Sequence, residues 1–222
     1  MENIVSQFFN TEIAIRVLPL LLKGLLVTLE ICAITIPIGL ATGLAVALLQ
    51  TYTQSKIVRF VLICFVDFFR AMPPLVTLIF MFSGLPFFGV RLSPIIAVSL
   101  TLILSMTVYY GEVYRAGLES VGRGQYDAGT STGLSRPHVI VWIVVPQAVR
   151  NVLPDLISNT IEVVKLSSLA SVVAIPELLF SADMARASTF NATPMMLAAL
   201  IYLAVLWPCV RLLSRMEHKS NI

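Results

Sequence analysis

The chain of 222 residues is 58% hydrophobic and only 12% charged, and its mean hydropathy is +0.91. Soluble domains carry roughly 25% charged residues, so this composition leaves too little polar surface for a soluble globule and argues against that class. The net charge of +3 is too small to indicate nucleic-acid binding and fits the basic bias of cytoplasmic loops in a membrane protein.

Long runs without a charged residue predict transmembrane helices. Each run is about as long as the roughly 20 residues needed to cross the hydrocarbon core, and the runs lie at 31–55, 71–90, 92–111 and 187–210. A fifth candidate, at about 154–182, is apolar but contains Glu162, Lys165 and Glu177. We therefore predict an all-α membrane protein with five transmembrane helices in a single domain over residues 1–222.

The first segments predict a surface helix followed by a long span. Residues 1–18 have the spacing of an amphipathic helix at the membrane surface, although a floppy terminus fits equally well. The terminus lacks a basic n-region and a short cleavable apolar core, so span one, at about 19–49, is expected to serve as the insertion signal. Gly39 and Gly43 lie on one stripe of this span and permit close helix contact, for which internal packing is favoured over a dimer seam.

The second apolar segment begins after a short polar turn at 51–56 and contains a double proline, Pro73-Pro74. Prolines lack backbone donors and disfavour helix at the preceding residue. Either a kinked span runs from about 60 to 85, or an interfacial helix leads into a span at 71–87.

Asp67 and Arg70 precede the double proline and are three residues apart, so they could pair on one helix face. Such a pair would neutralise two charges near the interface. The alternative for Arg70 is a direct role in the transport pathway.

The remaining spans follow in order. Loop residues at 83–94 precede span three, at about 94–115, whose end places Glu112 and Arg115 one helical turn apart. After the fourth span we predict a polar loop at 180–193 and a fifth span at 194–213.

The fourth span contains polar residues at membrane depth, where ionisable groups are costly and usually face a partner or a water-filled cavity. These residues are Glu162, Lys165, Ser167 and Ser168. Glu162 and Lys165 could form a structural i, i+3 pair, or the set could line the substrate pathway, and both interpretations remain open.

The distribution of basic residues predicts the orientation. With the N-terminus outside and the C-terminus in the cytoplasm, the external segments hold Arg16, Lys23, Arg91 and Arg186. The cytoplasmic segments then hold a larger set: Lys56, Arg59, Arg115, Arg123, Arg136, Arg150, Arg211, Arg215 and Lys219. This excess follows the positive-inside rule.

The sequence gives no metal or catalytic constellation. Cys32, Cys64 and Cys209 lie far apart in apolar runs and are predicted to be small membrane-core residues. His138 and His218 have no ligand partners at metal spacing. No Ser/His, paired-Asp or HExxH pattern indicates an intramembrane enzyme.

The most polar interruption of the chain, at 124–146, predicts a helix, a glycine turn and a second helix. Asp127 is placed in the first turn of the first helix, where it would meet the positive helix end. Gly133 fits a left-handed C-terminal cap, followed by the apolar Leu134. Ser135 can cap the next helix, and Pro146 is expected to kink or break it. The charge count places this segment in the cytoplasm, where its small residues suggest close packing by another protein.

This segment resembles the EAA motif of the membrane subunits of bacterial ABC importers. Asp127, Ala128 and Gly129 stand at the three lettered positions, followed by Gly133 and Leu134. The flanks resemble the polar amino acid uptake branch: FFRAMPPLV (68–76), YYGEVYRAGLESVGRGQ (109–125), PQAVRNVLPDL (146–156) and PELL (176–179). Asp replaces the usual glutamate and Gly the second alanine, which keeps the charge and the small size. The usual KDTSL-like run reads KLSSL (165–169) and lacks the acid.

The resemblance implies a type I ABC importer permease fold in the bacterial inner membrane. It implies that a cytoplasmic segment at about 122–146 docks in a groove of an ATPase subunit. The chain lacks a GxxxxGK[ST] phosphate loop, so ATP and Mg would bind to that separate subunit and no cofactor to this chain. A second permease subunit, identical or paralogous, and a periplasmic binding protein are the other implied partners.

The implied cargo is a polar amino acid or a relative such as an opine. The alternative function is a secondary transporter or channel that works without ATP, which would predict an inverted repeat or helices broken at the midplane.

Overall fold

The computed structural model describes the backbone of residues 6–220 and the side chains of residues 6–215. These residues form helices and turns without a β-strand, which confirms the all-α class. In chain order the helices are α1 (Thr11–Tyr52), α2 (Lys56–Ala71), α3 (Pro74–Ile79), α4 (Pro94–Ser120), α5 (Arg123–Ser131), α6 (Arg136–Val139), α7 (Val145–Asn151), α8 (Leu153–Leu166), α9 (Leu178–Thr189) and α10 (Thr193–Ser220). Irregular turns extend three of them: π Phe80–Gly84 and 3-10 Leu85–Phe88 after α3, π Ile140–Val144 between α6 and α7, and 3-10 Ser167–Val173 after α8.

Within the described residues, four helical stretches are long and apolar enough to cross a membrane, namely Ser6–Tyr52, Pro94–Ser120, Leu153–Val173 and Thr193–Arg215. A fifth span requires α2 and α3 to count together, and the chain bends by 101° between them at Met72-Pro73. The double proline therefore breaks the helix here rather than kinking it, because the missing N–H groups end one helix and Pro74 starts the next. The predicted five spans hold only if this bent pair is one span.

The start of α1 differs from the predicted surface helix. Asn10 Oδ1 accepts the N–H of Ile13 at 3.0 Å, which caps the long helix at its first turn. Residues 11–18 are thus continuous with span one, and Val17 is buried. The first five residues of the predicted surface helix lie outside the described part of the chain, as do the side chains of His218 and Lys219.

Two predicted loops are partly helical. The first, at 83–94, continues as helix to Phe88 and turns at Gly89, which has a φ of +82°. The prediction of a loop at 180–193 is wrong, because α9 occupies most of that range. The predicted span at 154–182 is instead interrupted between Val173 and Leu178, where Ala174 has a φ of +56° and Pro176 cannot donate a backbone hydrogen bond.

The described chain divides into two compact units. The first lies within Met1–Thr35, Pro74–Leu102 and Ile161–Ile222. One of its apolar clusters is centred on Ile31, Leu78 and Leu102, and another on Leu21 and Leu178. Burial of these side chains provides the packing contacts that hold the helices of this unit together.

The second unit comprises Ile36–Pro73 and Ile103–Thr160. A Cβ on Gly39 would lie 3.1 Å from the Cβ of Met106, and one on Gly43 would lie 2.7 Å from the Cβ of Tyr110. The glycines therefore let α1 and α4 approach closely inside this unit, which confirms the prediction of internal packing. The hydroxyl of the buried Tyr110 is 2.9 Å from that of Thr160.

The cysteines are free and differ in their surroundings. Cys32 is buried on α1, as predicted. Cys64 and Cys209 are exposed on α2 and α10, so they do not pack inside the described chain. A place on an outward face of a helix is not readable from the apolar run that contains it.

Candidate coupling and translocation sites

The first arm of the polar segment is α5, and it begins one residue earlier than predicted. Gly122 is its N-cap residue and Arg123 its first helical residue. Asp127 is therefore the fifth helical residue and lies beyond the first turn, so the predicted interaction with the helix end is wrong. The side chains of Asp127 and Ala128 are exposed.

Gly129 faces the opposite way from Asp127 and is buried. A Cβ at this position would lie 2.8 Å from Cδ1 of Ile143 and 3.0 Å from Cγ2 of Val139. Val139 is itself fully buried. The small size of Gly129 therefore serves the packing of α5 against the π turn Ile140–Val144 within this chain.

Gly133 forms the turn between the two arms. Its φ is +89°, and its N–H donates to the carbonyl of Thr130 at 3.0 Å. The predicted left-handed conformation is confirmed, and only glycine adopts it without steric cost. Leu134 follows and is 41% exposed, so it offers apolar surface outside the chain.

The second arm starts at the predicted residue but is built differently. Ser135 occupies the N-cap position, yet its hydroxyl is 2.7 Å from Nδ1 of His138 instead of capping a backbone N–H. Pro146 does not break the helix, because the N–H of Val145 bonds to the carbonyl of Ile140, five residues earlier. This π register accommodates the missing donor of the proline.

Side-chain hydrogen bonds hold the segment within its unit. Gln147 Nε2 donates to Oε1 of Gln125 at 3.2 Å, which joins α7 to α5. Asn151 Nδ2 donates to Oγ of Ser120 at 2.9 Å, which joins α7 to the end of α4. The arms of the segment are therefore fixed at their base, while the turn at Gly133 is exposed.

A cleft of about 470 Å³ borders α5. Its walls combine aromatic, acidic and basic side chains, including Tyr52, Glu119, Arg123, Tyr126 and Asp127. The carboxylate of Asp127 makes no hydrogen bond or ion pair with another described residue. This acid is thus available to a group outside the chain.

Arg70 lies on the wall of a second cleft of about 470 Å³ and does not pair with Asp67 as predicted. Its Nη1 instead lies 3.3 Å from Oε2 of Glu112, which is 42 residues further along the chain. Arg115 also binds Glu112, at 3.0 Å, and reaches Glu119 at 2.7 Å. The network joins α2 to α4 and was not predicted as a whole, although the Glu112–Arg115 spacing indicated one of its pairs.

The candidate pathway residues on and after α8 are in two environments. Lys165 Nζ lies 3.0 Å from Oε2 of Glu162, and both side chains are about half exposed, so the i, i+3 pair forms. Ser167 is fully buried, and its hydroxyl donates to the carbonyl of Val164 at 2.7 Å. Ser168 is half-buried and donates to the carbonyl of Lys165. The two charged residues, Glu162 and Lys165, are therefore exposed, whereas the two serines are buried or half-buried.

Glu177 is a buried acid whose surroundings the sequence did not reveal. It is fully buried at the break before α9 and accepts the N–H groups of Leu179 at 2.9 Å and Phe180 at 2.7 Å. Tyr202 on α10 donates its hydroxyl to Oε2 at 3.2 Å. The N–H of Leu178 donates to Oγ1 of Thr28 on α1, so three helices meet at this carboxylate.

Among residues 6–215, no group of three or more His, Cys, Asp or Glu side chains could hold a metal ion.

Comparison with known proteins identifies the family. The family described as "Binding-protein-dependent transport system inner membrane component" matches residues 16–217. The probable amino-acid ABC transporter permease protein YckA of Bacillus subtilis is 33% identical over 198 residues, which is 89% of this chain and 87% of YckA. The glutamine transport system permease protein GlnP of Escherichia coli is 30% identical over 211 residues, 92% of this chain and 94% of GlnP.

Solved structures give the same result for the fold. A chain of an amino acid ABC transporter crystallised with histidines aligns with a TM-score of 0.82 and 29% identity, over 92% of this chain and 96% of that one. The inward-facing MetNI methionine ABC transporter aligns with a TM-score of 0.75 and 17% identity, over 90% and 96%, which supports the fold alone. The chain therefore belongs to the family of binding-protein-dependent transport system inner membrane components, among the permease subunits of amino-acid ABC transporters.

Proposed function

We propose that this permease carries polar amino acids, or relatives such as opines, across the bacterial inner membrane by alternating access. It would work as a pair of permease subunits, receive substrate from a periplasmic binding protein and be driven by separate ATPase subunits that bind ATP and Mg. The N-terminus would face the periplasm and the segment 122–146 the cytoplasm.

The single observation that carries the proposal is the exposed turn between α5 and α6. Gly133 holds a left-handed backbone, Leu134 is exposed beside it, and Asp127 has no partner inside the described chain. An element that docks on another subunit needs a rigid base and an exposed tip. The tip must carry apolar surface and polar groups that have no partner inside their own chain. Of the EAA-like residues, Asp127, Ala128, Gly133 and Leu134 can contact an ATPase, while Gly129 shapes the element from within.

The cargo class is supported by the relatives, which include a permease named for glutamine and an arginine transport system permease protein, ArtQ of Bacillus subtilis. Exposed Glu162 and Lys165 offer both signs of charge, as a zwitterionic solute would need.

One feature of the fold is shared with the alternative function. The interruption between Val173 and Leu178 is a broken helix of the kind that secondary transporters use. Membership of a binding-protein-dependent family favours the ATP-driven importer over this alternative.

Reconstitution with the ATPase subunits and the binding protein tests the coupling proposal. In Gly133→Val, we expect uptake and substrate-stimulated ATP hydrolysis to fall because the turn requires positive φ. Gly124→Val is the matched control, since both glycines are exposed with no atom within 4 Å of an added Cβ, and only Gly133 has positive φ. Equal uptake by the two variants, at equal amounts in the membrane, would contradict docking through this turn.

The substrate class is tested with the cognate binding protein. Binding of glutamine, histidine, arginine and an opine to that protein, followed by uptake of the tightest ligand into the same vesicles, should give ATP-dependent accumulation. Accumulation without ATP would instead support a secondary transporter.

A further inference from the structure

A cleft between the start of α1 and the end of α9 contains a single charged side chain. The cleft has a volume of about 660 Å³, and all the residues that line it belong to the first unit. Among these described residues Arg16 is the only charged one, and the others are apolar or carry a hydroxyl group. The cleft is therefore separate from the coupling segment and from the clefts of the second unit.

The walls of this cleft are apolar and well supported. Val17 and Ala185 are buried and belong to one of the apolar clusters of the unit. The short side chains of Ala185 and Ser188, which follow each other by one turn on α9, leave space against α1. At the rim, Leu20 is 45% and Met184 56% exposed. A hydrocarbon chain could thus lie in the cleft beside Arg16 and cover exposed apolar surface.

The charge of Arg16 is not neutralised inside the chain. Its guanidinium forms no hydrogen bond or ion pair with another described residue. Glu12, one turn earlier, does not line the cleft, and Asp183 on α9 is paired with Arg186 at 2.7 Å. The neighbouring Ile15 is apolar and 70% exposed. In a membrane protein, an arginine among exposed apolar side chains needs water or an anion beside it.

The hydroxyl groups of the cleft can accept hydrogen bonds but have already donated their own protons. Ser188 donates to the carbonyl of Ala185 at 3.0 Å, and Thr189 donates to the same carbonyl at 2.7 Å. Each hydroxyl oxygen keeps an acceptor site. A ligand that matches this lining has an anion for Arg16, hydrogen-bond donors for the two oxygens and an apolar chain for the walls.

We infer that the cleft binds an anionic phospholipid with hydroxyl groups in its headgroup, such as phosphatidylglycerol. The phosphodiester binds the guanidinium of Arg16, a group that suits phosphate oxygens. The headgroup hydroxyls donate to Ser188 and Thr189, and an acyl chain covers Leu20 and Met184. The single negative charge of this lipid balances the single positive charge of the cleft, whereas phosphatidylethanolamine is neutral overall and leaves the arginine uncompensated.

Lipid titration tests the inference. The full chain in detergent, freed of endogenous lipid, is titrated with phosphatidylglycerol or phosphatidylethanolamine, and bound lipid is counted by native mass spectrometry. The wild type should bind phosphatidylglycerol several-fold more tightly. Arg16→Gln should lose most of this preference, because the anion loses its cation. Lys23→Gln is the matched control, since it removes an exposed cation of the same helix that does not line the cleft.

A second variant tests the cleft itself without changing the charge. Ser188→Phe places a large side chain in the cleft and keeps Arg16, so it should also weaken binding of phosphatidylglycerol several-fold. Ser188 is exposed, which makes a larger side chain compatible with the fold. Thermal unfolding of each variant checks that the loss of lipid does not come from a loss of structure.

Four results would overturn the inference. Equal affinity of the wild type for the two lipids would remove the anion selectivity, and full binding by Arg16→Gln or Ser188→Phe would place the lipid elsewhere. An equal loss in Arg16→Gln and Lys23→Gln would show attraction by net charge without a site. Displacement of the lipid by an equimolar amount of glycerol phosphate would show that a soluble anion, and not a lipid, is the ligand.

Discussion

Asp127 lies in the short helix α5 and Glu177 caps the short helix α9, yet the surroundings of the two acids are opposite. Asp127 is exposed on α5, and its carboxylate has no partner in the described chain. Glu177 is fully buried, and its oxygens accept two backbone N–H groups and the hydroxyl of Tyr202. The carboxylate of Asp127 is free to bind a partner outside the chain. The carboxylate of Glu177 makes its hydrogen bonds inside the chain, where α1, α9 and α10 meet.

The contrast divides the polar residues of a membrane subunit into two groups. Loss of one group lowers the stability of the fold, and loss of the other weakens binding to another subunit. A buried polar group whose hydrogen bonds are all satisfied inside the chain stabilises the fold, and its removal leaves other groups unpaired. An exposed group without an internal partner adds little to stability, so its removal reports on binding to another subunit. Stability and transport should therefore respond separately at these two sites.

The largest effect is expected at Glu177. In Glu177→Ala the N–H groups of Leu179 and Phe180 and the hydroxyl of Tyr202 lose their acceptor in a buried place, which should cost about 3 kcal/mol or more of unfolding free energy. Denaturant unfolding of the detergent-solubilised protein measures this loss.

Asp183→Ala is the control for Glu177, because Asp183 lies on the same helix in an exposed pair with Arg186 at 2.7 Å. Exposed pairs contribute about 1 kcal/mol or less. If the two variants were equally stable, the buried carboxylate would not be what joins these helices.

A smaller loss of stability is expected at Gly129, within the coupling segment itself. Gly129→Leu should cost about 1–3 kcal/mol because even a Cβ would crowd Val139 and Ile143. Gly124→Leu on the same helix should be tolerated, since no atom lies within 4 Å of its added Cβ. Thermal unfolding of both variants, compared with wild type, measures the difference. Equal stability of the two would mean that Gly129 is small for the sake of the ATPase partner.

Gly129 also shows what the sequence could and could not predict. Its small size pointed to close packing, but the sequence does not say whether the packing atom belongs to this chain or to another. Gly133 was predicted correctly because a left-handed turn is a local property of the backbone. The internal packing at Gly39 and Gly43 was likewise readable from their spacing on one stripe.

The wrong predictions have both long-range and local causes. The spacing of Arg70 indicates a pair with Asp67 or a role in the pathway, but Arg70 pairs with Glu112, which only the packing of α2 against α4 brings near. The break before α9 follows from Pro176 and the cap that Glu177 forms, and apolar composition alone concealed it. Hydropathy locates spans well, because it depends on composition, and it says nothing about interruptions within them.

At Asp127 we expect transport to change while stability does not. Asp127→Ala removes an exposed acid without an internal partner, so the unfolding midpoint should stay near that of wild type. Uptake and substrate-stimulated ATP hydrolysis should fall several-fold, and Asp127→Glu, which restores the residue usual at this position of the motif, should retain both. If Asp127→Ala lost stability or kept full uptake, Asp127 would not be a docking residue distinct from the structural Glu177.

The smallest effect on stability is expected at Lys165, whose charge could serve a structural ion pair, the substrate pathway or both. Lys165 and Glu162 bond each other at 3.0 Å, yet both are about half exposed, so their coupling should be about 1 kcal/mol or less. If the pair lines the pathway, Lys165→Ala should change the uptake rate or the preference among amino acids without a matching loss of stability.

Arg186→Ala, which removes an exposed i, i+3 pair of the same type on α9, controls for the loss of a surface charge. A double-mutant cycle with Glu162→Ala completes the test, because a purely structural pair gives coupling in unfolding free energy and none in uptake. Coupling in uptake alone would place Lys165 beside Asp127, as a charge that acts on something outside the chain.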